Sequence, residues 1–140
     1  MLHCIIMQSF AKKTRQLSNS HTHRAIKRVR VLAQGTFDVL HPGHVYYLSR
    51  AKKLGDELFV IVSRDRTVEK IKNHRTLFDE RTRLKMIASL RVVDHAVLGS
   101  KKNLLEKVEE INPDILALGH DAIISITRLQ LLLREKGLRT

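Results

Sequence analysis

Two histidines, His41 and His44, bracket Pro42 and Gly43 at the end of the stretch Gly35-Thr36-Phe37-Asp38-Val39-Leu40-His41-Pro42-Gly43-His44. An apolar run, 29–33, precedes the stretch and an amphipathic run follows it. Pro42 suits a first helical position, because its ring presets φ and the N–H it lacks would have no partner there. His41 then lies in a loop and His44 in the first helical turn, so both rings reach one phosphate. Free N–H groups and the positive dipole end at such a mouth favour an anion. Gly35 and Gly43 are expected to let the backbone approach a bulky ligand, and Thr36 and Phe37 to offer backbone N–H groups. When an α-phosphate is attacked, charge builds on its equatorial oxygens, and fixed donors placed there stabilise the transition state over the ground state. Positioning and electrostatics suffice; no covalent intermediate is needed. A lone histidine would read as a cap or a packing residue. Two of them around Pro-Gly, behind a strand, read as a site. Asp38 has three uses open to it: orienting a loop amide, orienting His44, or helping to position a metal–nucleotide.

Residues of this kind need a rigid frame. Apolar runs and turn signals predict strands over 29–33, 58–62, 95–98 and 115–118. Helical spacing predicts helices over 44–54, 66–72, 80–90, 103–111 and 127–136, with Asp79 capping the third and Asp65 capping the second. Strands alternating with helices give an α/β fold: a parallel sheet with helices on both faces. Ligands bind beyond the carboxyl ends of such strands, so the loops at 35–44, 63–67, 99–102 and 119–123 are the ones that matter. Asp121, in the last of these, offers a carboxylate that accepts hydrogen bonds from a base or ribose, or that caps the last helix.

The chain has 140 residues, enough for one domain with a core. Mean hydropathy is −0.19 and hydrophobic residues make up 43%, and no apolar run reaches the ~20 residues of a membrane span. The single cysteine, Cys4, excludes an internal disulfide and a cysteine metal cluster, and agrees with a cytoplasmic setting. Net charge is +12, but residues 1–30 carry seven of the 26 Lys and Arg and no acid. That leaves 19 basic against 14 acidic side chains, +5, for the remainder. A polyphosphate site accounts for this as well as nucleic acid does. Aromatics are 4% and do not interleave with basic residues as in single-strand binders, so nucleic acid and membrane are not expected partners. Residues 1–28 are expected to form a basic, disordered extension whose removal changes stability little. The folded domain is expected over 29–140.

The stretch ending His41-Pro42-Gly43-His44 resembles the first signature, His-x-Gly-His, of the cytidylyltransferase-like nucleotidyltransferases. The resemblance runs from about Val29 to Thr140 and is nearest to archaeal FAD synthases and glycerol-3-phosphate cytidylyltransferases. It implies a Rossmann-like fold and transfer of a nucleotidyl group from ATP or CTP to a phosphate-bearing acceptor, with pyrophosphate released. Ser63-Arg64-Asp65-Arg66-Thr67-Val68, Val93-Asp94 and Leu98-Gly99-Ser100 favour AMP transfer from ATP to FMN over CTP with glycerol 3-phosphate. A nucleotide-binding module without turnover is the reading from another class.

The resemblance further implies catalytic roles for His41, His44, Lys72 and Arg83, the last pointing into the site. It implies nucleotide contacts from the loop Gly35, Thr36, Phe37, Asp38, His41, Pro42, Gly43 and His44, and from Asp121. Mg²⁺ is expected to arrive with the triphosphate rather than in a protein cage, and a homodimer is common in these families. One departure is expected to matter. The families continue into a further strand and an Ile-Ser-x-Thr motif, whereas Ile124-Ser125-Ile126-Thr127-Arg128 matches it in letters but comes too early.

Overall fold

The structure is a computed structural model that describes residues 6–9 and 27–119. Its elements are β1 (Ile6–Ser9), β2 (Arg30–Gly35), α1 (Pro42–Lys52), β3 (Glu57–Val62), α2 (Asp65–Lys72), α3 (Glu80–Ala88), β4 (His95–Leu98), α4 (Leu104–Ile111) and β5 (Ile115–Leu118). The predicted elements within the described range are all present, with ends moved by a few residues at most. The predicted helix 127–136 lies outside the described residues.

The strands form one sheet in the order β1-β5-β2-β3-β4. β5, β2, β3 and β4 run parallel. Successive residues of a strand face opposite sides, and here both sides are covered. Val31, Ala33, Leu58, Val60 and Val62 pack with Tyr47, Leu48 and Ala51 of α1 and Ile87 of α3. Leu32, Ile61, Leu116 and Leu118 pack with Leu105, Val108 and Ile111 of α4. Burial on two faces is why the strands read as unbroken apolar runs. α2 and α4 end on Asn73 and Asn112, both left-handed, as helix stops require.

Each of β3, β4 and β5 is preceded by an aspartate that clamps the start of its neighbour. Asp56 donates its N–H to Val29 O and accepts from Val29 N–H at 2.7 Å. Asp94 does the same with Leu58, and Asp114 with Arg30. These clamps set the parallel register at the edge of the sheet remote from the predicted ligand loops.

The extension departs from its expectation. Ile6–Ser9 pairs antiparallel with the outer edge of β5, from Ile6 opposite Leu118 to Ser9 opposite Ile115. Lys27 is tied to Asp114 and Arg28 to Glu57. A four-residue strand whose partner lies more than a hundred residues away leaves no local period to read. The rest of the expected extension, apart from these residues, lies outside the described range.

In the parallel part the first strand in sequence, β2, is central; β3 and β4 lie on one side and β5 on the other. The connection reverses direction between β2 and β5, which makes the crevice beyond their carboxyl ends the switch point of a doubly wound sheet.

Candidate active site

The loop leaving β2 opens at that switch point. α1 starts at Pro42, as its ring favours, and His41 is its N-cap with an extended backbone. The Gly43 N–H donates to His41 Nδ1 at 3.1 Å. Nδ1 therefore serves as acceptor, and the proton of the neutral ring sits on Nε2, on the far side. The His44 ring stacks on His41 with centroids 3.8 Å apart, and meets Phe37 edge-on at 5.2 Å. Phe37 is buried and holds φ at +52°. That left-handed backbone costs a bulky L-residue about 1 kcal/mol or more. The ring's burial beneath His44 holds it there.

Two expectations change here. A Cβ at Gly35 would stand 2.7 Å from the Phe37 ring, and one at Gly43 2.9 Å from the His41 ring. The space over both glycines is filled by the loop's own aromatic rings rather than left for a ligand. The helix mouth is likewise not a set of bare amides: Gly43 N–H goes to His41 Nδ1 and His44 N–H to His41 O. What the mouth presents outward is imidazole.

Beneath the loop lies a polar network centred on Arg83, which is fully buried. Its Nε donates to Phe78 O, Nη1 to Thr36 O, and Nη2 to Ser63 O and Asp65. The expectation that Arg83 points into the site is thereby corrected. Four donors are already committed, and the guanidinium has no exposed face to offer a phosphate. Asp65 is corrected too. It is the first residue of α2, and its carboxylate caps α3 by accepting from Glu80 N–H, while Glu80 accepts from Asp65 N–H. The two helix starts thus cap each other. Burial alone would raise the Asp65 carboxyl, but Arg83, the Glu80 N–H and the Thr76 hydroxyl outweigh it and hold it below the usual carboxylate value. Arg64 extends the network from Glu80 to Gly99 O. The ends of β2, β3 and β4 are joined through these side chains.

Asp38 takes the first of its three uses. Its carboxylate accepts from Leu77 N–H at 2.8 Å and Phe78 N–H at 3.1 Å. Both oxygens are engaged, which leaves little for a metal–nucleotide. Lys72, in the last turn of α2, makes no hydrogen bond or ion pair among the described residues, whereas nearby Arg75 pairs with Glu69. Thr36 Oγ1 is buried without a hydrogen-bond partner among the described residues. Tyr47 was not singled out in the sequence, where it looks like one more helical core residue. Its hydroxyl donates to Ala117 O at 2.7 Å and accepts from Gln34 N–H, spanning β5 and β2 under the crevice. Asp121, like His120 and the 124–128 segment, lies outside the described residues. Among the described residues, no three His, Cys, Asp or Glu side chains gather as a metal site.

A family profile described as Cytidylyltransferase-like matches residues 32–139. The FAD synthase of Methanohalophilus mahii is 47% identical over 111 residues, covering 79% of this chain and 77% of that one. The FAD synthase of Methanosarcina mazei is 50% identical over 109 residues, covering 78% and 71%. Among solved structures, a lipopolysaccharide core biosynthesis protein from Thermoplasma volcanium superposes with a TM-score of 0.75 at 42% identity, covering 81% of this chain and 93% of that one.

Proposed function

The chain belongs to the cytidylyltransferase-like family and is a nucleotidyltransferase, and from that premise we propose that it is an FMN adenylyltransferase. The observation that carries the reading is the fixed imidazole pair at the switch point, in a chain 47% identical to an FAD synthase. A phosphate oxygen of FMN attacks the α-phosphorus of ATP, the bond from that phosphorus to the bridging oxygen breaks, and pyrophosphate leaves. His41 Nε2–H and the His44 ring stabilise the charge that builds on the α-phosphate. Lys72 neutralises the departing pyrophosphate or the incoming phosphate, and Asp121 takes the nucleotide. Arg83 and Asp38 touch neither substrate; they hold the loop that does.

Nucleotidyltransferases of this kind typically use a divalent metal. We assign Mg²⁺ to the substrate, carried in on the triphosphate, since Asp38 and Asp65 are already occupied by N–H donors. A cytoplasmic setting supplies both substrates. Incubation with Mg²⁺, ATP and FMN, followed by chromatography, should yield FAD and pyrophosphate. CDP-glycerol from CTP and glycerol 3-phosphate, with no FAD, would reject the assignment. Nucleotide binding without pyrophosphate release would reject turnover itself.

A further inference from the structure

The connection between α2 and α3 is built with its polar side inward. Asp38 holds the Leu77 and Phe78 N–H groups, Arg83 holds Phe78 O, and Asp65 holds the Thr76 hydroxyl. With those groups drawn to the interior, the apolar side chains stand outward. Leu77 is 74% exposed, Phe78 37%, and Val39, next to Asp38, 51%. Three large apolar side chains on a rigid polar base run against the drive to bury such surface, and a patch of this kind marks a place where something binds.

We propose that Val39, Leu77 and Phe78 form the platform for the flat ring system of the acceptor, with the acceptor's phosphate reaching His41 and His44. The proposal rests on the adenylyltransferase reading and adds to it the side chains that recognise the flavin. Three physical points favour this occupant over a second copy of the chain. The first is reach. Asp38 clamps Leu77 and Phe78 to the loop three residues before His41, a chain distance of at most ~10 Å, and a five-carbon ribityl arm bridges a gap of that order. The second is chemistry. A tricyclic ring gains from apolar and aromatic contact, whereas a polyol phosphate gains nothing there, so the patch selects an aromatic acceptor. The third is charge. Lys72, which makes no hydrogen bond or ion pair among the described residues, lies in the adjoining sequence and complements a phosphorylated ligand. Because the backbone is already pinned, little ordering is lost on binding.

The test uses the full chain with Leu77→Asn, Phe78→Asn and the double variant. Leu77 is exposed and the backbone bonds of both residues to Asp38 persist, so Leu77→Asn should leave the thermal melt unchanged and carries the test if Phe78→Asn, at a residue only 37% exposed, lowers it. Quenching of flavin fluorescence reads FMN binding. Riboflavin, which lacks the phosphate, reads the ring and ribityl arm without it. The double variant should weaken both at least tenfold, with KM for ATP within twofold of wild type. Unchanged flavin affinity in the double variant, where the wild-type protein makes FAD, overturns the platform and leaves the adenylyltransferase reading standing. A wild-type protein that neither binds flavin nor makes FAD overturns both. A dimer that the double variant converts to monomer, with flavin affinity unaltered, makes the patch a self-interface and overturns the platform as well.

Discussion

His41 and His44 could be read directly from the sequence because their chemistry is local. Pro42 fixes the helix start, and spacing alone puts both rings at its mouth. Replacing either by Ala should cut FAD formation roughly 10²- to 10³-fold, the scale of losing one fixed donor to a developing anion. Both variants within twofold of wild type in kcat would remove the imidazoles from the mechanism. Arg83 could not be read in the same way. Its partners stand five, 18, 20 and 47 residues away, and nothing in the residues around it distinguishes a buried hub from a phosphate contact. The two roles predict different damage. Arg83→Met leaves three partly buried carbonyls without their donor and removes the guanidinium from Asp65. It should cost about 3 kcal/mol or more of stability, visible as a lowered thermal midpoint in the protein without substrates. A ligand-contacting arginine would instead leave the melt alone and raise KM for ATP. Gly35 and Gly43 teach a similar point: the sequence marks where a side chain is missing, but not what fills the gap.

Among the elements, the apolar runs and helical spacings predicted the β and α segments because two-sided burial imposes those patterns on every central strand. β1 escaped for the opposite reason. It is an edge strand, short, and paired with β5 across nearly the whole chain. Removing residues 1–28 would expose the outer edge of β5, with its free N–H and C=O groups. An unprotected edge invites pairing with another chain. The truncated protein should lose roughly 3–8 °C in thermal midpoint and show concentration-dependent association in sedimentation. The ion pairs of Lys27 and Arg28 contribute little to this, being exposed. A truncated monomer with an unaltered melt would show that β1 has no stabilising role.

For the molecule as a whole, acid is the informative stress. Burial tends to raise the carboxyls of Asp94 and Asp114, but the Leu58 N–H with Lys52, and the Arg30 N–H with Lys27, outweigh it and leave both lowered, as Asp65 is. A carboxyl lowered in the folded state binds its proton first in the unfolded chain. Its stabilisation is therefore present above the unfolded value of about 3.9 and disappears as pH falls through the folded value. Melts should be nearly flat above about pH 5 and decline below about pH 4, and Asp94→Asn should make the decline shallower. A decline of unchanged steepness in that variant would dissociate the clamp from acid stability. The three clamps also differ in the length of chain they close: 27 residues for Asp56 to Val29, 36 for Asp94 to Leu58 and 84 for Asp114 to Arg30. Closing the longest loop costs about 1 kcal/mol more entropy than closing the shortest. On this ground the β2–β5 pairing is the seam expected to zip last and open first. In native-state hydrogen exchange, the amides of β5 should be released before those of β3. The crevice assigned to the nucleotide is that same seam, so ATP binding should be recorded first as slowed exchange along β5, with the interior of the β2–β3 pair scarcely affected.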